Sequence, residues 1–122
     1  MKSLALVLVL VAVTGCKAKQ SAPKKQKPVA GLTDVEIKRG EDACKTYVDK
    51  VCACAAQKPD QAELAKQCQL AKSLPEAMQI ALSVAMHPDT KPEVAQQSYD
   101  SVRTTIGSCI EETAKLPALG CN

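Results

Sequence analysis

Aromatic side chains are nearly absent from this chain of 122 residues, which has no tryptophan, no phenylalanine and only two tyrosines. Aliphatic side chains bury less apolar area per residue than aromatic rings do, so a core built from them stabilises a small domain weakly. A small domain with such a core usually needs covalent or metal cross-links as well. The seven cysteines are the residues of this sequence that can form such links.

Residues suited to catalysis or metal binding are also scarce. The sequence has one histidine, His87, and no Cys-x-x-Cys pair, which argues against a zinc site. His87 lies beside Pro88 in a predicted turn, without a plausible nucleophile. Cys52 and Cys54 would point about 160° apart on a helix, which is too far round the axis to bind one metal ion or each other. We therefore expect no enzymatic activity, no cofactor and no metal site.

The first sixteen residues have the pattern of an export signal. Lys2 is followed by an unbroken apolar run over residues 4–13, which fits the hydrophobic region of a signal peptide at about 7–15 residues. It is shorter than the roughly 20 apolar residues of a membrane-spanning helix. The last residue of this run and the next three, Val13-Thr14-Gly15-Cys16, resemble the lipobox of bacterial lipoproteins. An ordinary secretory signal that is cleaved near a cysteine is the alternative.

The resemblance to bacterial lipoproteins implies a modification and a location. In that family the signal peptide, here residues 1–15, is removed, and the cysteine that becomes the first residue, here Cys16, takes a diacylglycerol on its thiol and often an acyl chain such as palmitate on its amine. Two or more acyl chains anchor a protein stably to a membrane, whereas one does not. Lys17 follows in place of the Asp that favours inner-membrane retention in enteric lipoproteins. We expect a lipid-anchored protein of the bacterial cell envelope, held at the outer membrane.

A basic segment, residues 16–31, follows the signal peptide. Residues 1–31 contain six of the 16 Lys and Arg residues and none of the 13 Asp and Glu residues, so residues 32–122 carry a net charge of −3. A Lys- and Pro-containing stretch with little apolar surface predicts a flexible linker. Its lysines would either attract anionic lipid headgroups or keep the linker solvated as a simple spacer. Since the folded part is acidic and the compartment is extracytoplasmic, we expect no nucleic-acid binding.

Residues 32–122 form one predicted domain that contains the remaining six cysteines. An even number of cysteines in an oxidising compartment predicts three disulfides. The six are Cys44, Cys52, Cys54, Cys68, Cys109 and Cys121.

Apolar residues at helical spacing predict three segments in this domain. The first runs from about residue 33 to 55, with Thr33 and Glu36 at the spacing of a capping box and Gly40 as a weak point or bend. The second follows Pro59, with a cap predicted at Asp60, and Pro75 kinks it or starts a new helix. The third begins near Thr90, predicted as a cap, and ends at Pro117. Its predicted buried face comprises Val94, Ala95, Ser98, Tyr99, Val102, Ile106, Cys109, Ile110 and Thr113. The expected fold is all-α, an antiparallel, disulfide-braced bundle of three to four helices.

Helical geometry also restricts the disulfide pairing. On the first segment Cys44 lies in the middle of the apolar stripe, whereas Cys52 and Cys54 lie on its two edges. We expect these two cysteines to have different partners. The arrangement favours Cys44–Cys109, Cys52–Cys68 and Cys54–Cys121, which is one of fifteen pairings.

Two functional hypotheses of different classes remain. The first is a non-enzymatic interaction or structural module that binds an envelope protein partner. The second is a helical carrier or sensor for a small apolar ligand, which requires a cavity of roughly 300 Å³ or more. The residues expected to line that cavity are Met78, Leu82 and Met86, and core packing is the alternative for these three.

Overall fold

A computed structural model of the chain describes residues 29–122. The predicted signal peptide, the predicted lipidation site Cys16 and the linker up to residue 28 lie outside the described residues. The elements are α1 (Asp34–Gln57), α2 (Ala62–Lys72), α3 (Leu74–Met86), α4 (Pro92–Lys115) and a terminal 3-10 turn (Leu116–Leu119). The predicted all-α bundle of three to four helices is confirmed, with four helices and no strand among residues 29–122.

The start of α1 is the capping box that the sequence predicts. The Thr33 hydroxyl accepts a hydrogen bond from the Glu36 amide at 3.3 Å, and the Glu36 carboxylate accepts one from the Thr33 amide at 2.7 Å. These bonds satisfy backbone donors that an isolated helix end leaves unpaired. The hydrogen bond from the Thr33 backbone is also the main reason why the pKa of Glu36 is lowered.

The other two predicted caps are wrong. Helix α2 begins after Gln61 rather than Asp60, and no side chain caps it. Helix α4 begins at Pro92 after Lys91, and the Thr90 hydroxyl instead donates a hydrogen bond to the Val84 carbonyl oxygen at 2.7 Å. Proline at the first helical position has its φ angle already set for the helix and lacks an N–H that would need a partner, so α4 starts there without a side-chain cap.

Proline also separates α2 from α3. Only Ser73 lies between the two helices, and Pro75 lies in the first turn of α3, so of the two predicted outcomes the chain starts a new helix. At the other end of the bundle, α4 stops at Lys115 and Pro117 falls inside the 3-10 turn, slightly later than the predicted end of regular helix.

The helices pack as an up-down-up bundle. Helix α1 is antiparallel to α2 and α3 is antiparallel to α4, because each pair is joined by a short turn. Helices α1 and α4 run parallel, since Gly40 faces Ile106 and Cys44 is bonded to Cys109 further along both helices. The start of α1, the end of α3 and the start of α4 therefore lie at one end of the domain.

The core consists of two clusters along this bundle. The first contains all six domain cysteines, five of them buried and Cys52 packed against the others, together with Tyr47, Val51, Leu64 and Leu116. The second is smaller and holds Met78, Leu82 and Val102, with Tyr99 and Ile106 packed against it. The small size of the second cluster fits a chain with few aromatic residues. The first cluster is stabilised in addition by the disulfides between its cysteines.

Three predicted core residues are exposed instead. Ile110 is 57 % exposed, Val94 is 43 % exposed and Met86 is 59 % exposed. In α4, Ile110 follows the buried Cys109 and Val94 precedes the buried Ala95. Each exposed residue is therefore rotated by about 100° around the helix axis from its buried neighbour. The buried stripe of α4 is narrower than the sequence pattern suggests.

Gly40 does not bend or break α1. The helix continues from Asp34 to Gln57, and Gly40 is buried within it against Ile106 of α4. A Cβ atom at this position would overlap the Ile106 side chain, with Cγ1 only 2.5 Å away. Gly40 therefore allows α1 and α4 to approach closely, at the known cost of glycine in a helix.

Candidate functional site

Helix α1 carries the three cysteines that cross-link the domain. Disulfides join Cys44 to Cys109 of α4, Cys52 to Cys68 of α2, and Cys54 to Cys121 in the C-terminal tail, with Cα–Cα distances of 4.9, 4.8 and 5.4 Å. These are the three favoured pairs, and the prediction that Cys52 and Cys54 have different partners is confirmed. All six thiols are consumed in these bonds, so their role in the described structure is to brace the bundle.

The tail is positioned by a second contact besides its disulfide. Gly120 has a φ of 74°, which reverses the chain after the 3-10 turn, and the Lys58 ammonium donates a hydrogen bond to the Leu119 carbonyl oxygen at 2.8 Å. A positive φ favours glycine because it has no Cβ. This reversal directs Cys121 toward Cys54 at the end of α1.

The last residues of the predicted linker are bonded to α4. The Arg103 guanidinium donates hydrogen bonds to the carbonyl oxygens of Ala30 at 2.7 Å and Gly31 at 3.3 Å, and the Ala30 amide donates one to the Gln96 side chain at 3.3 Å. Asp100 orients the same guanidinium through a 2.9 Å ion pair. We call these contacts the tether junction. Sequence reasoning missed it, because nothing in the residue pattern links Arg103 to a segment more than 70 residues earlier.

A groove runs between the outer faces of α1 and α4, and we call it the α1–α4 groove. Its walls comprise Arg39, Gly40, Ala43, Ile106, Ile110 and Thr113. It consists of two adjoining clefts with volumes of about 330 Å³ and about 270 Å³, and Arg39 and Ile110 line both of them. The cleft of about 270 Å³, which we call the upper cleft, is also lined by Leu32, Glu36 and Arg103, so the groove begins beside the tether junction. The other, lower cleft is also lined by Asp42 and Thr46.

His87 and the acidic residues form no metal-binding cluster in the described part of the chain. His87 is exposed in the turn after α3, where its Nδ1 accepts a hydrogen bond from the Asp89 amide at 3.3 Å. Within residues 29–122 no group of three or more His, Cys, Asp or Glu residues has the geometry of a metal site. None of the described helices is both long and apolar enough to cross a lipid bilayer.

The methionine cluster predicted for an apolar ligand does not assemble as expected. Met78 and Leu82 are buried against Val102, with 1 % and 5 % of their surfaces exposed, whereas Met86 lies on the surface. Met78 and Leu82 therefore fill the core, which was the alternative for these residues.

No protein-family model, no curated protein and no solved structure matches this chain.

Proposed function

We propose that this chain is a bacterial lipoprotein, anchored at the outer membrane through Cys16, whose helical domain is a non-enzymatic interaction or structural module of the cell envelope. The observation that carries the proposal is the apolar run of residues 4–13, whose last residue begins the sequence Val13-Thr14-Gly15-Cys16. A run of this length suits a signal peptide and is too short for a membrane span.

The domain architecture supports an extracytoplasmic location. Disulfides persist in oxidising compartments and are rare in the cytosol, and this domain has three within residues 44–121. Five of the six bonded cysteines are buried, and Cys44 and Cys109 are 0 % exposed. Bonds so placed suit a structural brace, whereas a redox catalyst needs an accessible thiol.

The tether junction supports a role in presenting a surface to a partner. A lipid-anchored domain on a flexible linker can rotate freely, but here the chain is bonded to α4 before it enters α1. This fixes the end of the domain from which the tether leaves. The partner we propose is another envelope protein, bound by the surfaces that the tethered end leaves accessible.

The alternative function, a helical carrier or sensor for a small apolar ligand, receives no support from the residues first expected to serve it. Met86 is on the surface, and Met78 and Leu82 are part of the packed core. A ligand site would have to lie elsewhere in the domain.

The test of the anchor is a Cys16→Ser variant of the full chain expressed in a Gram-negative bacterium. The expected result is a shift of the protein from the membrane fraction to the soluble fraction, with all three disulfides still formed. Thr14→Ala is the matched control, because it changes a neighbouring position toward the more usual small residue and should leave anchoring intact. An unchanged membrane signal for Cys16→Ser would contradict the proposal.

A further inference from the structure

The α1–α4 groove is a shallow apolar channel whose depth comes from small residues on one wall. Gly40 and Ala43 of α1 face the larger Ile106 and Ile110 of α4. Ile110 is 57 % exposed, so a branched apolar side chain on the α4 wall is in contact with water. A ligand that covers it gains free energy in proportion to the apolar area removed from water.

The length and volume of the groove suit a single alkyl chain. The α1 wall runs from Glu36 to Thr46, a distance of ten helical steps, or about 15 Å at the rise of an α-helix. The two clefts, about 270 Å³ and about 330 Å³, adjoin at Arg39 and Ile110. Known ligand pockets start at about 300 Å³, so the two clefts together are large enough for a small ligand.

Most of the charges along the groove are already paired. The Glu36 carboxylate is held in the capping box at Thr33, and the Asp42 carboxylate lies 3.8 Å from the Lys38 ammonium. The Arg103 guanidinium is bonded at the tether junction.

Arg39 is the exception among these charges. Its guanidinium lies close enough to Glu36 to contribute to the lowered pKa of that carboxyl. It makes no direct hydrogen bond or ion pair with any residue of the described part of the chain, and it lines both clefts. Guanidinium groups bind carboxylates and phosphates with two parallel hydrogen bonds. The groove therefore offers a guanidinium whose hydrogen-bond donors have no partner among the described residues.

We infer that the α1–α4 groove binds a single-chain anionic amphiphile, with its alkyl chain along Ala43, Ile106 and Ile110 and its acidic headgroup on Arg39. The complementarity is a guanidinium without a hydrogen-bond partner among the described residues, beside the exposed apolar side chain of Ile110. The inference does not depend on the lipid anchor, since every residue that it uses lies within α1 and α4.

The probe for the test is dodecanoate with a photoreactive diazirine on its alkyl chain, added to membranes that contain the full-length protein. After irradiation, the labelled peptides are identified by mass spectrometry. We expect label on both walls, in peptides around Ala43 and Ile110, and competition by excess unlabelled dodecanoate. Label spread evenly over all four helices, or label that dodecanoate does not displace, would overturn the inference.

Two variants with matched controls test the geometry. Ala43→Leu fills the lower cleft and should reduce specific labelling about tenfold, because the added side chain displaces several methylene groups of the ligand. Ala53→Leu makes the same change at an exposed position of α1 outside the groove and should leave labelling unchanged. Equal labelling of the two variants would overturn the inference, and resistance to proteolysis checks that both are folded.

Removing the positive charge of Arg39 tests its role in binding the headgroup. In Arg39→Gln the concentration of dodecanoate needed for half-maximal competition should rise about fivefold, because a charge-assisted hydrogen bond is lost, while competition by uncharged dodecanol should not change. Lys50→Gln, which removes a charge from α1 away from the groove, is the control. If dodecyltrimethylammonium competes as well as dodecanoate against the unaltered protein, the anionic headgroup is wrong. If an envelope peptide is retained in the groove and displaces the probe, the occupant is a protein and the inference is overturned.

Discussion

Two glycines within long helices should respond in opposite ways to the same substitution. A Cβ at Gly40 would overlap the Ile106 side chain, whereas a Cβ at Gly107 of α4 would meet nothing within 4 Å. Both substitutions bring the helix-propensity advantage of alanine over glycine, about 1 kcal/mol. Only Gly40→Ala forces an extra group between packed helices, which typically costs about 1–3 kcal/mol.

The structure therefore predicts the sign of each effect. Gly107→Ala should raise the free energy of unfolding by about 1 kcal/mol, since nothing opposes the propensity gain. Gly40→Ala should lower it by about 1 kcal/mol, since overpacking against a stiff β-branched side chain exceeds that gain. The two variants should differ by about 2 kcal/mol, although each adds one methyl group to a helical glycine.

Equilibrium urea unfolding of oxidised protein, released from the membrane by Cys16→Ser, measures both values. Ile106→Ala in the Gly40→Ala background should restore part of the loss, because it removes the atoms that the new methyl group meets. A double-mutant cycle then gives a coupling between the two sites. Equal stabilisation by both glycine substitutions, or no coupling between Gly40 and Ile106, would refute the close approach of α1 and α4.

The disulfide, the cap and the tether junction give further predictions. Replacing Cys44 and Cys109 together with alanine opens a loop of 65 residues and should cost about 4 kcal/mol of stability in urea unfolding, from the lost restriction of the unfolded chain. Thr33→Ala should cost about 1 kcal/mol in the same assay, because a side-chain cap is lost. The native pKa of Glu36 is lowered mainly by the hydrogen bond from the Thr33 backbone. The ionised carboxylate therefore contributes fully to the free energy of unfolding above its unfolded-state pKa, and this contribution is lost as pH falls through the folded-state pKa. Glu36→Gln should flatten this acid-side loss of stability when unfolding is measured as a function of pH. Arg103→Ala should speed hydrogen exchange at residues 30–33 while it leaves global stability within about 1 kcal/mol.

Each of these predictions has an outcome that contradicts it. A stability loss under about 1 kcal/mol for the Cys44 and Cys109 pair would show that this disulfide does not brace the bundle. An unaltered helix start in Thr33→Ala, or an acid profile that Glu36→Gln leaves the same, would argue against the capping box. Unchanged exchange at residues 30–33 in Arg103→Ala would mean that the tether junction does not hold the entering chain.

Much of the bundle could be predicted because helical periodicity and cysteine positions restrict each other. Once Cys44 lies at the middle of the α1 stripe, Cys52 and Cys54 must face different neighbours, and the short turns decide which neighbours those are. The capping box at Thr33 could be predicted because both of its side chains have the required spacing.

The errors arose where local patterns compete with other contacts. Thr90 has the spacing of a cap, but its hydroxyl bonds the end of α3 instead, and Pro92 starts the helix. Ile110 and Met86 are apolar at helical spacing, but the periodicity of a stripe does not give its width.

The candidate sites could not be predicted for a different reason. The tether junction joins Arg103 to Ala30, and the α1–α4 groove depends on Gly40 and Ala43 lying opposite Ile106. Both features need the parallel packing of α1 and α4, which depends on contacts between residues more than 60 positions apart.

The intact mass of the mature protein extracted from membranes tests the lipid anchor at Cys16 directly. The mature protein should begin at Cys16, carry the added mass of a diacylglycerol with or without a third acyl chain, and lack the six hydrogens that three disulfides remove. A chain that begins at another residue, or a Cys16 without lipid, would contradict the proposed anchor.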